Sequence, residues 1–576
     1  MEGWFFMKYK KLLACFAIAA VSATVVAGCG SNGKTATNEG TQAKSQEAKS
    51  DVTMPALVDT NYGTLLGTQT KGTYIFKGIP YAKASRFAMP EDPDSWEGIK
   101  TATTYGEGAP NSNDGVAVTD FMTPAGTDCV YKEDCQFLNV WTNSVDTSAK
   151  KPVVFWLHGG GWANGASNEL SYYDGYNFAQ NQDVVFVSIN HRLNILGYTD
   201  LSAYGEEYAN SGNVGVADMV KALEWVNENI ENFGGDPENV TIIGQSGGGA
   251  KVMTLLGIPD AKDYFQKAIV CSGGVAGISA DVAKAAGTAL VEKCKTQYGL
   301  GSDAEALEML KTMPYEDLLA LSTDTGVGVG PVVDGTYYPA KTITDEGVLS
   351  DLAKDKPVIV STTFSEIASG GMAQLTIDPV VSGISANMPK EIYLNVFTPA
   401  LMDENGINQT LAQKYPENLD KILEAFKEAF PGHDDLDLAY LDNSALTTDG
   451  IDILNVMAEQ SNAPVYRMYW AEKFPLFGGM TAWHTGGDLP FLFDNLETVE
   501  YMTAGDDGSL ARIEKEASTM LGNFAKTGDP SFDDVTFKPY TTGEKAALIF
   551  DNDKTEVRND FDGALRPLLP VPASMW

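Results

Sequence analysis

The sequence predicts an α/β fold in which helices flank a mostly parallel central sheet. Three observations predict it: apolar runs recur along the chain, helical patterns lie between them, and the runs are continuous rather than alternating with polar residues. Strands that are buried on both faces have this continuous apolar character. The runs interpreted as strands are 153–157, 184–189, 240–244, 268–270 and 358–362.

Amphipathic helices are predicted between these strands. Between the second and third runs, apolar residues recur at steps of three and four over 216–230, which is one face of a helix. The Gly-Gly pair at 234–235 ends that helix before the next strand. The region 376–460 is predicted to be mainly helical. Alternating strands and helices favour an α/β sheet over other architectures.

Length and charge limit the class of protein. The chain has 576 residues, of which 44% are hydrophobic, and no Pro- or Ser-rich linker divides it after about residue 55. Residues 56–576 are therefore predicted to form one domain. The formal net charge of −37, from 77 acidic and 40 basic residues, repels nucleic acid. A nucleic-acid partner is not expected.

The N-terminus has the pattern of an export signal. Three lysines precede an apolar run over 12–26, which is short for a membrane span but typical of a signal-peptide core. The run ends in Val-Ala-Gly-Cys29, which resembles the lipobox of bacterial lipoproteins. This resemblance implies a signal peptide over 1–28 and lipidation of Cys29. Ordinary cleavage, with Cys29 incidental, is the alternative.

Residues 29–55 follow this signal and are predicted to be a flexible tether. They are polar and contain almost no large apolar side chains, so they cannot bury enough surface to fold. Together, the signal and the tether predict an extracytoplasmic protein that is attached by lipid to the cell membrane of a bacterium.

Four cysteines remain beyond the signal and the lipid anchor. Cys129 and Cys135 are close enough in sequence to close a small disulfide loop, whereas Cys271 ends an apolar run and is equally well explained as a buried thiol. With Cys294, an exported chain could form two disulfides, and three pairings are open. No CxxC pair, HExxH motif or carboxylate cluster predicts a metal site, and no cofactor is expected.

One serine has the surroundings of a nucleophile. Ser246 is the centre of Gly-Gln-Ser-Gly-Gly over 244–248, which matches the pattern GxSxG. An apolar run precedes it and a helix-like segment follows, the context in which a sharp elbow presents a serine hydroxyl above a sheet. Small neighbours are needed because the backbone approaches itself in such a turn.

A phosphate-binding loop is the alternative interpretation of the same stretch. Gly244 and Gly249 have the spacing GxxxxG, but Lys and then Ser or Thr should follow directly. Ala250 and Lys251 follow instead, so the loop lacks both its phosphate lysine and its metal hydroxyl. Ser246 is therefore retained as the candidate nucleophile.

A serine nucleophile needs a base, and histidine is the usual one at neutral pH. In the chain order Ser, acid, His that this kind of sheet uses, two of the four histidines follow Ser246, namely His433 and His484. His433 lies in the polar stretch PGHDDLD and is interpreted as a solvated surface histidine. His484 lies between Trp483 and an apolar run, a setting that can hold an imidazole, so it is the candidate base.

The acid should lie between the serine and the histidine in sequence, where carboxylates are plentiful. Glu366 follows the predicted strand 358–362 closely, so its side chain is expected at the carboxyl edge of the sheet. Most other acidic residues of this interval have the sequence pattern of a helix or loop surface. Position alone does not exclude all of them as the acid.

A glycine-rich stretch follows an early strand. FWLHGGGW, 155–162, has the pattern of an oxyanion loop, in which backbone N–H groups of residues such as Gly160 and Gly161 face a substrate oxygen. A simple glycine-rich turn is the alternative, and the nearby GxSxG motif disfavours it.

These motifs together resemble type-B carboxylesterases, the α/β-hydrolase family that includes bacterial p-nitrobenzyl esterases and cholinesterases. The resemblance extends from about residue 56 to the C-terminus. The matching stretches are FKGIPYA (76–82), EDCQFLNVW (133–141), HGGGW (158–162), NHRLNILGY (190–198), GNVGVADMVKALEWVNENIENFGGDPENVTIIGQSGGG (212–249), PVVDG (331–335) and DLPFLF (488–493).

The resemblance implies an α/β-hydrolase fold with helical insertions around a substrate gorge, and ester hydrolysis through an acyl-enzyme. It assigns Ser246 as nucleophile, Glu366 as acid and His484 as base. It also implies oxyanion-hole amides from Gly160, Gly161 and Gly247, and a structural salt bridge between Glu133 and Arg192. The partners it implies are a small-molecule ester and, through the lipid anchor, a membrane.

The sequence departs from the family in ways that bear on the substrate. Gln245 stands where the family usually has Glu, and no Trp lies between Phe121 and Cys135, so cationic substrates are disfavoured and small to medium uncharged esters are expected. The segment from His484 to Asp488 is one residue longer than the family pattern, so no role is assigned to Asp488.

Two alternative functions stay open at this stage. One is an esterase specialised for feruloyl, acetyl or other esters on plant polysaccharide. The other is a catalytically inactive surface binding or adhesion module, which the complete set of Ser, Glu and His disfavours.

Overall fold

A 13-stranded sheet lies at the centre of the described chain, with helices packed against it. The structure is a computed structural model and describes residues 53–111, 129–366, 404–448, 450–475, 480–481, 487–500 and 502–571. Its strands are, in chain order, β1 Met54–Thr60, β2 Gly63–Thr70, β3 Thr73–Pro80, β4 Ile99–Thr101, β5 Phe137–Thr142, β6 Lys151–Leu157, β7 Val185–Ile189, β8 Gly235–Gln245, β9 Lys267–Cys271, β10 Ile278–Ser279, β11 Val332–Val333, β12 Val358–Thr363, β13 Val465–Trp470, β14 Lys473–Phe474, β15 Met480–Thr481, β16 Ala546–Phe550 and β17 Glu556–Asn559.

The strand order of the large sheet is β1-β2-β3-β5-β7-β6-β8-β9-β12-β13-β16-β17, with β4 paired to β2. The central strands from β7 to β16 are parallel, whereas the pairs toward both ends are antiparallel except for the parallel pair of β2 and β4. The five apolar runs of the sequence form β6, β7, β8, β9 and β12. The predicted mostly parallel α/β sheet is therefore confirmed.

The central strands are apolar throughout because both faces of the sheet are covered. In β6, Val154 and Trp156 pack into one hydrophobic core, while Val153, Phe155 and Leu157 pack into a second one on the other face. Successive side chains of a strand point to opposite faces, so a doubly covered strand must be apolar at every position.

Helices connect the strands. The α-helices of the described residues are Tyr176–Gln182, Asn194–Gly197, Val214–Asn229, Gly247–Leu255, Ala280–Tyr298, Asp303–Thr312, Tyr315–Ser322, Glu404–Lys414, Leu419–Ala429, Asp435–Tyr440, Ser444–Thr447, Gly450–Gln460, Leu489–Leu492 and Ser509–Thr527. The helix predicted over 216–230 is Val214–Asn229, continued by a short 3-10 turn to Phe233. Gly234 ends this turn with a φ of +75°, a conformation that glycine adopts without strain.

The region expected to be mainly helical, 376–460, contains five helices from residue 404 onward. Residues 376–403 lie outside the described part. The proposed signal peptide, Cys29 and the first residues after it also lie outside it. Within the described ranges, no helix combines the length and the apolar character that a membrane crossing requires.

The cysteines correct one expectation. Cys129 and Cys135 are not joined, because both side chains are thiols in this structure, as are those of Cys271 and Cys294. Cys135 is fully buried and packs with Ala109 and Leu193 in a small apolar cluster. The side chain of Cys135 therefore packs in the interior of the protein. It forms no disulfide with Cys129, although the two residues are close in sequence.

Candidate active site

The candidate nucleophile lies in a strained turn between a strand and a helix. Ser246 follows β8 directly and precedes the helix Gly247–Leu255, which we call the elbow helix. Its φ of +59° and ψ of −126° are sparsely populated by residues other than glycine. The turn is held because the N–H of Ser246 donates to the Cys271 carbonyl at 2.9 Å, and the Ser246 carbonyl accepts from Ala250 N at 3.1 Å.

Two glycines of the motif are required by close backbone approach. A Cβ on Gly244 would lie 2.2 Å from the carbonyl oxygen of Gly248, and a Cβ on Gly248 would lie 2.1 Å from that of Leu157. No side chain fits at those distances. The motif therefore folds as an elbow because its glycines let β8, the elbow helix and the end of β6 approach one another.

The glycine-rich loop after β6 lies against this elbow. Gly160 and Gly161 have φ values of +86° and +63°. A Cβ on Gly247 would lie 2.4 Å from the nitrogen, Cα and oxygen of Gly161, so the two backbones are in direct contact. Gly247 begins a helix, where N–H groups have no acceptor within the helix. The three glycines named from the sequence are thus brought to one place, next to Ser246.

The candidate acid lies at the same edge of the sheet. Glu366 comes three residues after β12 and its side chain is buried. Its Oε1 accepts hydrogen bonds from Thr363 N at 2.8 Å and from Ser272 Oγ at 2.9 Å. Ser272 directly follows Cys271, whose carbonyl accepts the hydrogen bond from the amide of Ser246. Ser246 and Glu366 are therefore both attached to the carboxyl end of β9.

His484, the candidate base, lies outside the described residues. The chain is described again from residue 487, and Asp488 is buried there at the start of the helix Leu489–Leu492. Burial raises the pKa of the Cys271 thiol, and the charges of Asp488 and Glu366 add to this effect. Asp488, four residues beyond His484 in sequence, thus lies within electrostatic range of the end of β9.

His433 is not the solvated surface histidine that its polar sequence predicted. It is buried, its ring stacks on Phe364 at 5.1 Å, and its nitrogens lie 3.3 Å from Asp437 Oδ2 and 3.4 Å from Asp551 Oδ2. Burial alone would lower the pKa of His433, but the two carboxylates outweigh it and raise the pKa to about 9. The prediction failed because local polarity does not show that a tertiary fold encloses the segment.

The expected pair of Glu133 and Arg192 is wrong. Arg192 is buried and forms a bidentate pair with Asp218, from Nε at 2.8 Å and from Nη2 at 2.7 Å. Glu133 instead binds Arg86, with Nε at 2.6 Å from Oε2. Asp218 projects from the helix Val214–Asn229 and is itself fully buried, so it neutralises Arg192 in the interior.

Sequence reasoning missed two polar side chains close to the elbow. Ser272 could have been found from its position directly after the apolar run of β9, at the carboxyl edge of a parallel sheet. The sequence pattern around Lys251 indicates only that it is displaced from the position of a phosphate-binding lysine. It is fully buried in the elbow helix, and its Nζ donates to the His158 carbonyl at 2.9 Å.

The residues that the structure describes contain no candidate metal-binding site, since no group of three or more His, Cys, Asp or Glu side chains could hold an ion there. The arrangement instead suits nucleophilic chemistry. A strained serine elbow at the carboxyl edge of a parallel sheet, with a glycine loop beside it, defines the serine hydrolases of the α/β-hydrolase fold.

Comparison with known sequences identifies the family. A profile of the Carboxylesterase family matches residues 54–564, and the chain belongs to this family. It is a serine ester hydrolase. The para-nitrobenzyl esterase of Bacillus subtilis is 31% identical over 528 residues, covering 89% of this chain and 98% of that protein. The phenmedipham hydrolase of Pseudarthrobacter oxydans is 27% identical, covering 88% and 97%.

Solved structures have the same fold. An esterase of Clostridium hathewayi, described as able to hydrolyse aliphatic aromatic polyesters, is similar with a TM-score of 0.76 and 35% identity, covering 90% of this chain and 99% of that one. A carboxylesterase of Geobacillus stearothermophilus gives a TM-score of 0.67 at 29% identity, covering 89% and 100%.

Proposed function

We propose that the protein hydrolyses small to medium uncharged carboxylic esters with a triad of Ser246, Glu366 and His484. The observation that carries this proposal is a pair of hydrogen bonds made at the end of β9. The Cys271 carbonyl binds the amide of Ser246, and the next residue, Ser272, binds the carboxylate of Glu366. Nucleophile and acid are thereby held in a fixed relation at one edge of the sheet.

In the proposed mechanism, Ser246 Oγ attacks the ester carbonyl carbon while His484 accepts the serine proton. Glu366 orients the imidazole and stabilises its positive charge. Amides of Gly160, Gly161 and Gly247 bind the oxyanion of the tetrahedral intermediate. The C–O bond to the alcohol breaks and the alcohol leaves with the proton from His484. Water then hydrolyses the acyl-enzyme by the same steps and releases the acid.

His484 is proposed as the base because the other histidines are engaged elsewhere. His433 is paired with two carboxylates on either side of its ring. His158 and His191 are fully buried and precede Ser246 in the chain, and burial lowers the pKa of each well below its usual value. The charge of Asp488, close in sequence to His484, acts at the end of β9, which supports the proposal.

The preference for uncharged esters rests on the residue beside the nucleophile. Gln245 is fully buried next to Ser246 and carries no charge, so it offers no electrostatic attraction to a cationic alcohol group. Two of the relatives named above are a para-nitrobenzyl esterase and an esterase described as able to hydrolyse aliphatic aromatic polyesters. We therefore propose aryl and aliphatic esters as the substrate class. No observation favours a polysaccharide ester or an inactive adhesion module.

The test is hydrolysis of p-nitrophenyl esters from acetate to decanoate by the purified full-length chain, beside Ser246→Ala, Glu366→Gln and His484→Ala. We expect turnover by the wild type and a loss of about 10³-fold or more for Ser246→Ala and His484→Ala. Ser461→Ala is the matched control, because this hydroxyl is buried without a partner in the described structure and precedes β13 at the opposite edge of the sheet. A fluorophosphonate that labels a residue other than Ser246 would contradict the assignment.

We also propose that the enzyme is attached by lipid at Cys29 outside the cytoplasmic membrane. The apolar run over 12–26 and the Val-Ala-Gly-Cys29 sequence support this location. Expressed in a bacterium, the wild type should enter the detergent phase of a phase-partitioning extraction and incorporate labelled fatty acid. Cys29→Ala should do neither. Equal partitioning of the two proteins would contradict the anchor.

A further inference from the structure

The elbow helix contains a buried cation that the proposed triad does not use. Lys251 is fully buried between the buried Ala250 and Val252. Its Nζ donates to the His158 carbonyl at 2.9 Å, and no carboxylate of the described residues forms an ion pair with it. An unpaired ammonium in the interior lowers the stability of a fold, so its presence calls for a role.

The charged and titratable groups around Lys251 come from three segments. Glu169 follows the glycine-rich loop and acts on it electrostatically as a carboxylate. His158 ends β6 and His191 follows β7. Their rings stack at 5.2 Å, and both are held neutral because burial, together with the charge of Lys251, lowers their pKa values well below the usual range. Glu169 is thus the nearby group that supports a positive charge on Lys251.

The hydrogen bond of Lys251 connects the two halves of the candidate oxyanion hole. Its donor is on the elbow helix, one turn beyond Gly247 and Gly248. Its acceptor, the His158 carbonyl, is at the start of the loop that carries Gly160 and Gly161. The same carbonyl lies 2.9 Å from where a Cβ of Gly248 would be, so helix and loop are in backbone contact at this point.

We propose that Lys251 is a positioning residue for ester hydrolysis: its bond to the His158 carbonyl holds the glycine loop against the elbow helix, and its charge stabilises the developing oxyanion. This inference rests on the proposed function. A preorganised positive charge at a buried position acts on the charged transition state more than on the uncharged ester, so Lys251 affects kcat more than KM.

The charge of Lys251 changes in the neutral pH range. Burial lowers the pKa of Lys251 to about 7, while Glu169 acts in the opposite direction. The ammonium is therefore present at slightly acidic pH and is lost as the pH rises through about 7. The kcat profile of the wild type should accordingly show a decline on the alkaline side that originates at Lys251.

The test compares the full-length wild type with Lys251→Met, which keeps the approximate volume and removes both charge and donor. With p-nitrophenyl butyrate between pH 5.5 and 9, we expect kcat at pH 6.5 to fall about 10- to 100-fold, with KM changed less than about threefold. The alkaline decline should disappear. Melting temperature should stay equal or rise, because a buried unpaired charge is replaced by an apolar side chain.

Lys267→Met is the matched control. Lys267 is also buried, and burial lowers its pKa to about 8, but it lies at the amino end of β9, at the opposite edge of the sheet. We expect its kcat and pH profile to equal those of the wild type. Lys251→Met with wild-type kcat across the pH range, or with the alkaline decline intact, would overturn the proposal.

A second variant keeps the inference testable if Lys251→Met does not fold. Glu169→Gln removes the carboxylate that raises the pKa of Lys251, so the alkaline decline of kcat should move to lower pH. An unmoved decline would overturn the proposal. Ser246→Ala in the same series separates the two hypotheses: its full activity would refute the proposed triad, whereas an inactive Ser246→Ala beside a fully active Lys251→Met would refute only the role of Lys251.

Discussion

Ser272 donates a hydrogen bond of 2.9 Å to Glu366, and it directly follows Cys271, whose carbonyl accepts a hydrogen bond from the amide of Ser246. The same carboxylate oxygen accepts from Thr363 N at 2.8 Å. A buried carboxylate held by one backbone and one side-chain donor keeps a single orientation.

Replacing Ser272 by Ala should reduce activity by loosening this orientation. The variant removes one donor to a buried carboxylate, and such bonds contribute about 1.5–3 kcal/mol. We expect kcat/KM to fall about tenfold and the free energy of unfolding to fall by about 1–2 kcal/mol. Steady-state hydrolysis and urea unfolding measure the two effects. If kcat/KM is unchanged in this variant and in the Ser461→Ala control, the hydrogen bond from Ser272 is not required to orient Glu366.

Gly248→Ala should prevent the elbow from forming. The added Cβ would lie 2.1 Å from the Leu157 carbonyl oxygen, and neither backbone can move without displacing β6 or the elbow helix. We expect little soluble protein, or a loss of about 3 kcal/mol or more of unfolding free energy. Gly543→Ala is the control, since a Cβ there meets nothing within 4 Å. Equal stability of the two variants would contradict the close approach.

His433 should make stability depend on pH without affecting catalysis directly. Its folded pKa, about 9, lies above the unfolded value of about 6.5. A raised histidine pKa stabilises the fold fully below about pH 6.5, and this stabilisation is lost as the pH rises through about 9. Urea unfolding at pH 6.5 and 9.5 should show the decline in the wild type and a smaller one in His433→Gln. Loss of the acyl-enzyme in that variant would instead indicate a catalytic role.

Glu472 should lower stability at neutral and alkaline pH. It is fully buried just after β13, and neither of its carboxyl oxygens has a hydrogen-bond partner within the described ranges. Burial raises its pKa well above the usual range, and the charges of Asp488 and Asp551 add to the effect. The folded state therefore retains a proton that the unfolded state releases above about pH 4.3, so the free energy of unfolding falls as the pH rises from that value.

Glu472→Gln tests this expectation because it replaces the carboxyl by a neutral group of the same shape. The variant should match the wild type at pH 4.5 and be more stable at pH 8. Glu544→Gln, at an exposed position, should change the stability at neither pH. A variant that is less stable than the wild type at pH 8 would show that the carboxylate is paired.

Periodicity and glycine spacing were sufficient to predict the centre of the fold. Continuous apolar runs identify doubly covered strands, and β6, β8 and β9 lie where those runs are. The antiparallel strands at the ends of the sheet, such as β1 and β17, were not predicted, because each is exposed on part of its surface and lacks the continuous apolar pattern.

Pairings between distant polar residues could not be predicted in the same way. Arg192 binds Asp218 rather than Glu133, and His433 is enclosed by Asp437 and Asp551. These partners depend on how helices pack across the sheet. Such packing is a property of the whole fold and cannot be inferred from the local sequence. The disulfide expectation failed for the same reason, since the burial of Cys135 follows from packing against Leu193.

The attachment of Ser246 to Cys271, the last residue of β9, and of Glu366 to Ser272, the residue after it, has a consequence for engineering this enzyme. β9 is paired with β8 on one side and β12 on the other, so its end moves with the centre of the sheet. Insertions or randomised libraries in peripheral helices and loops can therefore change the surroundings of Ser246 while the spacing of Ser246 and Glu366 stays constant. Substitutions at Cys271 and Ser272 change both positions together, and selection for new substrates should leave these two residues unaltered.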